Sequence, residues 1–369
     1  MHILLVEPDY YTQYPPLGLL KLASYHKLLG DTYTLVRGCQ LVDRTPDRIY
    51  VTSLFTYAWK PVHQAIAYYK GLFPHSELIL GGIYATLMRK HAENSSADRI
   101  YPGLFEEAEA LRPDYSLVST WRQSIIFSHR GCTNKCPYCA VPFLEPERTA
   151  IKSIRHLVHP GHRKIILWDN NTLGMNGWRD LIAELKSLRV SVDFNQGLDA
   201  EFITEEVADE LCGLNLNPIR MVYDTPGKRR YLEKAIPILE RAKFNRRRMI
   251  VYTLYNWIDT PEQFLDRIKD LLEWGVVAYP MRFEPLDSLV KNKYIGRYWT
   301  AQQLEMIARA RRVIGYGGAF PPYEGLRKKF LTAKSFEEAF ALRPPRSSPE
   351  KTEGTSKKLL KPVPVASAI

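Results

Sequence analysis

The chain has 369 residues, 45% of them hydrophobic and 25% charged, with a formal net charge of +11. No apolar run reaches the roughly 18 residues of a membrane-spanning helix, which excludes that class. The opening stretch Met1 to Pro8 is too short and too uncharged for a signal peptide. The length suggests two domains. Five cysteines in so long a chain fit a reducing, cytoplasmic setting. The positive charge opens a nucleic-acid reading, because basic surfaces draw polyanions. Much of the excess is scattered, however. The tightest cluster, Arg246-Arg247-Arg248, directly precedes a strand-like run and reads as a solvated rim.

The first ~110 residues alternate strand-like and helix-like runs, the signature of a parallel α/β sheet. Strands are expected at His2–Val6, Tyr33–Val36, Ile49–Phe55 and Leu78–Leu80, with a short last one at Ile100-Tyr101. A helix should begin at Pro15-Pro16, where proline suits the first turn, and another should run over Pro61–Leu72. Gly81-Gly82 closes the fourth strand and leads into a further helix.

After a short connection through Pro113-Asp114-Tyr115, six apolar runs recur with helices between them. The strands are Ser124–His129, Ile165–Asp169, Val190–Asn195, Ile219–Asp224, Met249–Leu254 and Tyr279–Glu284. Such runs fit strands covered by helices. Helices are expected near Trp178–Leu188, Glu205–Leu214, Lys228–Ala242, Pro261–Trp274 and Gln302–Ile314. Thr260-Pro261-Glu262 is a clean helix start, with Thr as N-cap and Pro at the first position. After about Arg343 the Pro-, Ser- and Lys-rich composition predicts disorder.

Between the first two of these six strands lies Cys132-Thr133-Asn134-Lys135-Cys136-Pro137-Tyr138-Cys139. Thiolates hold iron–sulfur clusters, and a [4Fe-4S] cluster that only passes electrons takes four. Three leave one iron open, as catalytic metals keep a position open for substrate. His129 with the three cysteines also makes a zinc-knuckle donor set, and the spacing leaves that reading standing. With it would go a zinc-stabilised RNA-binding protein. Cys39 and Cys212 sit in apolar runs and read as buried small hydrophobes.

The cysteine loop resembles the C-x3-C-x-aromatic-C motif of the radical S-adenosylmethionine (radical SAM) superfamily, with Tyr138 as the aromatic. The resemblance implies a [4Fe-4S] cluster on Cys132, Cys136 and Cys139 whose open iron binds SAM. SAM is then cleaved to methionine and a 5′-deoxyadenosyl radical that abstracts hydrogen from a substrate. It also implies a reductant such as flavodoxin or ferredoxin. The six β/α units match that superfamily's partial (β/α)6 barrel. The N-terminal segment resembles the doubly wound, Rossmann-like cobalamin-binding domain found ahead of many such barrels, through Tyr14-Pro15-Pro16-Leu17-Gly18 and Gly81-Gly82. The Asp-x-His-x-x-Gly motif that supplies a lower histidine to cobalt is not present. Two outcomes therefore stand open. Methyl transfer follows if cobalamin is bound; rearrangement, cyclisation or oxidation follows if it is not.

Working residues of β/α barrels lie at the C-terminal ends of strands. The superfamily's Gly-Gly-Glu-like turn is replaced here by Trp168-Asp169-Asn170-Asn171. Asp169, Asn170, Asn195, Gln196 and Tyr138 are accordingly the expected cosubstrate contacts. Tyr223, Asp224, Tyr252 and Glu284 are expected at a substrate cavity, although tyrosines also serve as amphipathic core residues. The expected layout is a cobalamin-binding-like domain over residues 1–112 and a linker over 113–123. The barrel follows over 124–320, an extension over 321–343 and a disordered tail over 344–369.

Overall fold

The computed structural model describes residues 1–314 and 324–342; the tail expected over 344–369 lies outside the described residues. The chain forms two compact units. One comprises Met1–Gln196, Gly213–Asn217 and Glu284–Tyr294, and the other comprises Gly197–Cys212, Pro218–Phe283 and the described residues from Ile295 on.

The first unit opens with β1 (His2–Glu7), α1 (Leu17–Leu28), β2 (Thr32–Arg37), β3 (Arg48–Ser53) and α2 (Trp59–Leu72). Then come β4 (Glu77–Gly82), α3 (Ile83–Leu87), α4 (Arg89–Ala92), β5 (Arg99–Tyr101) and α5 (Glu106–Glu109). The strands pair in the order β2-β1-β3-β4-β5, all parallel. Every residue of β1 is buried, so its side chains must satisfy two apolar layers. Alternation does this. Ile3 and Leu5 share a core with Leu19 and Ala23 of α1, while Leu4 and Val6 share another with Val62 and Ile66 of α2. The sheet is therefore doubly wound. Gly82 has φ +101° at the end of β4, and a Cβ there would stand 2.4 Å from the Ser53 carbonyl oxygen. Only glycine lets the chain turn into α3 at that approach.

The unit continues with β6 (Ser124–Ile126), β7 (His129–Arg130), α6 (Val141–Leu144), β8 (Thr149–Ala150), β9 (Lys164–Leu167), α7 (Trp178–Leu188) and β10 (Ser191–Phe194). Its last strand is β11 (Asn215–Leu216), and the four-stranded sheet runs β11-β10-β9-β6, all parallel. Ile125 of β6 and Ile166 of β9 pack with Leu17, and Tyr14, Trp121, Phe127 and Trp168 surround them. The first turn of α1 is thus fixed against the strands that lead into the cysteine loop.

The second unit holds α8 (Glu205–Cys212), β12 (Ile219–Val222), α9 (Arg229–Arg241), β13 (Met249–Tyr255), α10 (Pro261–Glu273) and β14 (Val277–Arg282). The parallel sheet is β12-β13-β14. Thr260 caps α10 with a full capping box, reciprocated by Gln263. After α11 (Ala301–Ile314), α12 (Glu324–Thr332) and α13 (Phe336–Phe340) add helices the sequence did not signal. Phe336 and Phe340 stack, and Phe340 stacks in turn on Phe264 of α10.

Two expectations need correction. The strand expected over Ser124–His129 breaks after Ile126 and resumes as β7, which pairs antiparallel with β8. A buried carboxylate described below takes the backbone N–H groups at the break. Cys39 and Cys212 are exposed, not buried. Cys39 follows the positive-φ turn at Gly38 that ends β2, and Cys212 is the last residue of α8.

Glu7, at the C-terminal end of β1, is 8% exposed. Burial pushes its carboxyl up to about 7 from 4.5, with Arg37 opposing. The folded state therefore keeps a proton that the unfolded chain has released across that window. Stability should fall as pH rises from about 4.5 through about 7. Urea melts across this range should show the decline in the wild type and a flatter profile in Glu7→Gln. Equal slopes would remove Glu7 as the cause.

Candidate functional site

The cysteine loop leaves β7 and returns through β8, so a two-residue antiparallel ladder closes its base: His129 pairs with Ala150 and Arg130 with Thr149. Gly131 starts the loop at φ +74°, where a Cβ would stand 2.6 Å from the Glu147 carbonyl oxygen. Glu145 then clasps the loop from its far end. One carboxylate oxygen accepts from the Gly131 N–H (2.7 Å) and Asn170 Nδ2 (2.8 Å), and the other from Arg130 Nη1 (2.8 Å).

The turn after β9 holds the loop from a second side. Asp169, 3% exposed, accepts from the backbone N–H of Ser128 (2.6 Å) and of His129 (3.2 Å), and from the Ser128 hydroxyl (2.5 Å). His129 Nδ1 lies 3.0 Å from the same carboxylate. Asn170 donates to Glu145, and Asn171 donates to the Thr133 hydroxyl (3.0 Å). Asn171 also accepts from the Gly174 N–H, capping a short 3-10 turn. Three consecutive residues therefore address three points of the loop entry. Charge-assisted bonds to backbone N–H groups are worth about 1.5–3 kcal/mol each.

Cys132, Cys136 and Cys139 are partly buried, and none is in a disulfide. Backbone N–H groups of Asn134 and Val141 lie 3.3 and 3.4 Å from the sulfurs of Cys132 and Cys139. Hydrogen bonds of this kind tune thiolate-bound clusters. Among the described residues, no three His, Cys, Asp or Glu side chains converge closely enough to hold a metal ion. The donor set nonetheless fits an iron–sulfur cluster: three thiols on one short, clasped loop with N–H donors at two sulfurs.

A chain of buried and partly buried charges extends from the clasp. Arg130 stacks on Phe127 at 3.4 Å and donates to Glu109 through Nε (2.8 Å) and Nη2 (2.6 Å). Lys21 of α1, 6% exposed, donates to the other Glu109 oxygen at 3.1 Å and to the Glu109 carbonyl at 2.9 Å. Burial alone would raise the Glu109 carboxyl, but Arg130 and Lys21 outweigh it and hold it below the usual carboxylate range. Burial lowers the Lys21 amine against the pull of Glu109.

The remaining expected contacts sit elsewhere. Asn195 is buried and donates to the Tyr14 hydroxyl at 3.0 Å. Tyr138, Gln196 and Glu284 are partly buried. In the second unit, Tyr223 donates to Asp270 at 2.7 Å, Asp224 accepts from the Leu254 N–H at 3.0 Å, and the Tyr252 hydroxyl accepts from Arg220 at 2.9 Å. The two tyrosines are buried, so they are amphipathic core residues whose hydroxyls find partners inside the protein. Sequence reasoning took Asn171 only as part of the Trp168–Asn171 turn, and did not single out Glu145, Thr133, Arg130, Glu109 or Lys21. Only Arg130 carried a signal, its place beside the first cysteine.

No protein-family model matches the chain, and no curated protein matches it. A solved structure does: the radical S-adenosylmethionine methyltransferase TsrM from Kitasatospora setae, with cobalamin and a [4Fe-4S] cluster bound. The TM-score is 0.57 at 13% identity, over 78% of this chain and 77% of that one. The likeness is one of fold. Among the described residues no helix is long and apolar enough to cross a membrane.

Glu145→Ala would leave Gly131, Arg130 and Asn170 without their shared acceptor, a loss of about 1–3 kcal/mol. In metal-free protein, iodoacetamide should then alkylate Cys132, Cys136 and Cys139 about tenfold faster. An unchanged rate would show that the clasp does not restrain the loop.

Proposed function

We propose that this chain is a radical SAM enzyme, a reading carried by the Cys132, Cys136 and Cys139 loop and the polar clasp that restrains it. The fold shared with a radical SAM methyltransferase supports the reading. In it, residues 124–320 are read as the superfamily's partial (β/α)6 barrel, following a cobalamin-binding-like domain over residues 1–112. The three cysteines would hold a [4Fe-4S] cluster. Such a cluster, re-reduced by a flavodoxin or ferredoxin, would supply the electron that cleaves SAM to methionine and a 5′-deoxyadenosyl radical, which would abstract hydrogen from the substrate.

The chain's own residues do the positioning. Asp169 ends β6 and aims His129-Arg130 into the loop. Glu145 and Asn170 fix the loop's two ends together. The N–H groups of Asn134 and Val141 stabilise negative charge on two sulfurs. Tyr138, Asn195 and Gln196 are the proposed adenosyl contacts, while Asp169 and Asn170 act through the loop. Asp224 and Glu284 each remain proposed as substrate contacts.

A second reading, cobalamin-dependent methyl transfer, draws on the cobalamin held by the fold neighbour. The cavity against the N-terminal sheet measures about 240 Å³. That is below the roughly 300–1,000 Å³ of drug-sized sites, and an intact corrinoid is larger still. No histidine lines it. A cobalamin bound there would have no histidine ligand to cobalt, and we derive no step through it.

Anaerobically reconstituted, dithionite-reduced protein should give a [4Fe-4S]+ EPR signal that shifts on adding SAM, and should form 5′-deoxyadenosine. Cys136→Ala should lose iron and SAM cleavage while keeping its far-UV circular dichroism. Colourless protein with bound zinc would move the assignment to the zinc-stabilised RNA-binding reading. Unchanged cleavage in Cys136→Ala would also sink the proposal.

A further inference from the structure

Asn195 stands directly after β10, and its N–H donates to the Leu167 carbonyl at 3.0 Å, which seats it beside the turn that begins Trp168-Asp169. It is 3% exposed, so its amide needs partners. One of them comes from 181 residues away in sequence: Nδ2 donates to the Tyr14 hydroxyl at 3.0 Å. Its Oδ1 accepts from no described residue, yet it is not sealed from solvent as the Trp168 indole nitrogen is. The amide therefore has its nitrogen end held and its oxygen end open.

Tyr14 is itself well fixed. Its ring meets Trp168 edge to face at 5.1 Å and Trp121 at 5.8 Å. Pro15 and Pro16 follow it and restrict the backbone there. Leu17 then packs on Ile125 and Ile166. The phenol thus links two neighbouring strand ends, with its ring on the turn after β9 and its hydroxyl on the residue after β10. Phenylalanine would keep both ring contacts; the hydroxyl is what addresses Asn195.

We infer that Tyr14 is a positioning residue, which turns the Asn195 amide so that Oδ1 takes a ribose hydroxyl of SAM. This role rests on the radical SAM reading. The chemistry selects the ribose. An amide oxygen only accepts, so it has nothing to offer the SAM carboxylate, whereas a ribose hydroxyl donates. Without the phenol the amide can turn over and present its NH₂ end instead.

The probes are S-adenosylhomocysteine and its 2′,3′-dideoxyribose counterpart, each measured by equilibrium dialysis on the cluster-loaded full chain. The wild type should hold the ribose form about fivefold tighter, the worth of one hydrogen bond. Tyr14→Phe and Asn195→Ala should each bring that preference close to one. The double variant should lose no more than either single one, because the two side chains act as a unit. The dideoxy form should bind all four proteins alike. In Tyr14→Phe the SAM-induced shift of the [4Fe-4S]+ EPR signal should still be reached, at about fivefold higher SAM. A ribose preference that survives in Tyr14→Phe overturns the proposed role. So does a loss that falls on both ligands equally, or a Tyr14→Phe chain that fails to fold, since either would make the hydroxyl structural. A wild type that holds a cluster but binds neither the probes nor SAM overturns the radical reading as well, whereas an indifferent Tyr14→Phe overturns the Tyr14 role alone.

Discussion

One buried carboxylate sets the geometry on which the site depends. Asp169 follows β9 and gathers the N–H groups of Ser128 and His129 together with the Ser128 hydroxyl. A buried charge of this kind is strongly unfavourable unless fully bonded. The chain at the end of β6 therefore has to bend to it. That bend ends β6, turns Arg130 toward Glu109 and Glu145, and opens the loop that carries the three thiols. The clasp, the charged chain to α1 and the cavity beside Trp168 all follow from where that bend leaves the backbone.

Much of the secondary structure was legible because burial and periodicity act locally. The all-buried β1, the alternation that feeds two cores, and the Thr260 cap each leave a mark within a few residues of sequence. The break within Ser124–His129 left none. Its residues are apolar enough for a continuous strand, and the group that interrupts them lies some forty positions on. Glu145 was illegible for the same reason. A glutamate between the end of α6 and Pro146 has no pattern that announces a partner at Gly131. Asp169 and Asn170 were legible as positions and not as roles: strand-end polar residues were expected, but their partners are the loop itself. Cys39 and Cys212 were misread because hydropathy around a cysteine does not reveal which side of a turn or helix end it occupies.

The N-terminal unit illustrates how a fold and a ligand separate. Its strand order and its glycine turns are those of a ligand-binding doubly wound sheet. What the sheet can accept is decided by the side chains that α1 and α5 bring over it. Lys21 and Glu109 take up space and cancel charge there, and a shared architecture does not carry that detail.

The clasp has a consequence for how such a centre would be maintained. Zinc fingers gain their fold from the metal and lose it on chelation. Here Asp169, Glu145, Asn170 and the β7–β8 ladder draw the loop's ends together through bonds that use none of the three thiols. Much of the entropy of closing that loop is lost as the chain folds. A cluster destroyed by oxygen would leave a folded, restrained cradle, so its replacement is a local repair and not a refolding event.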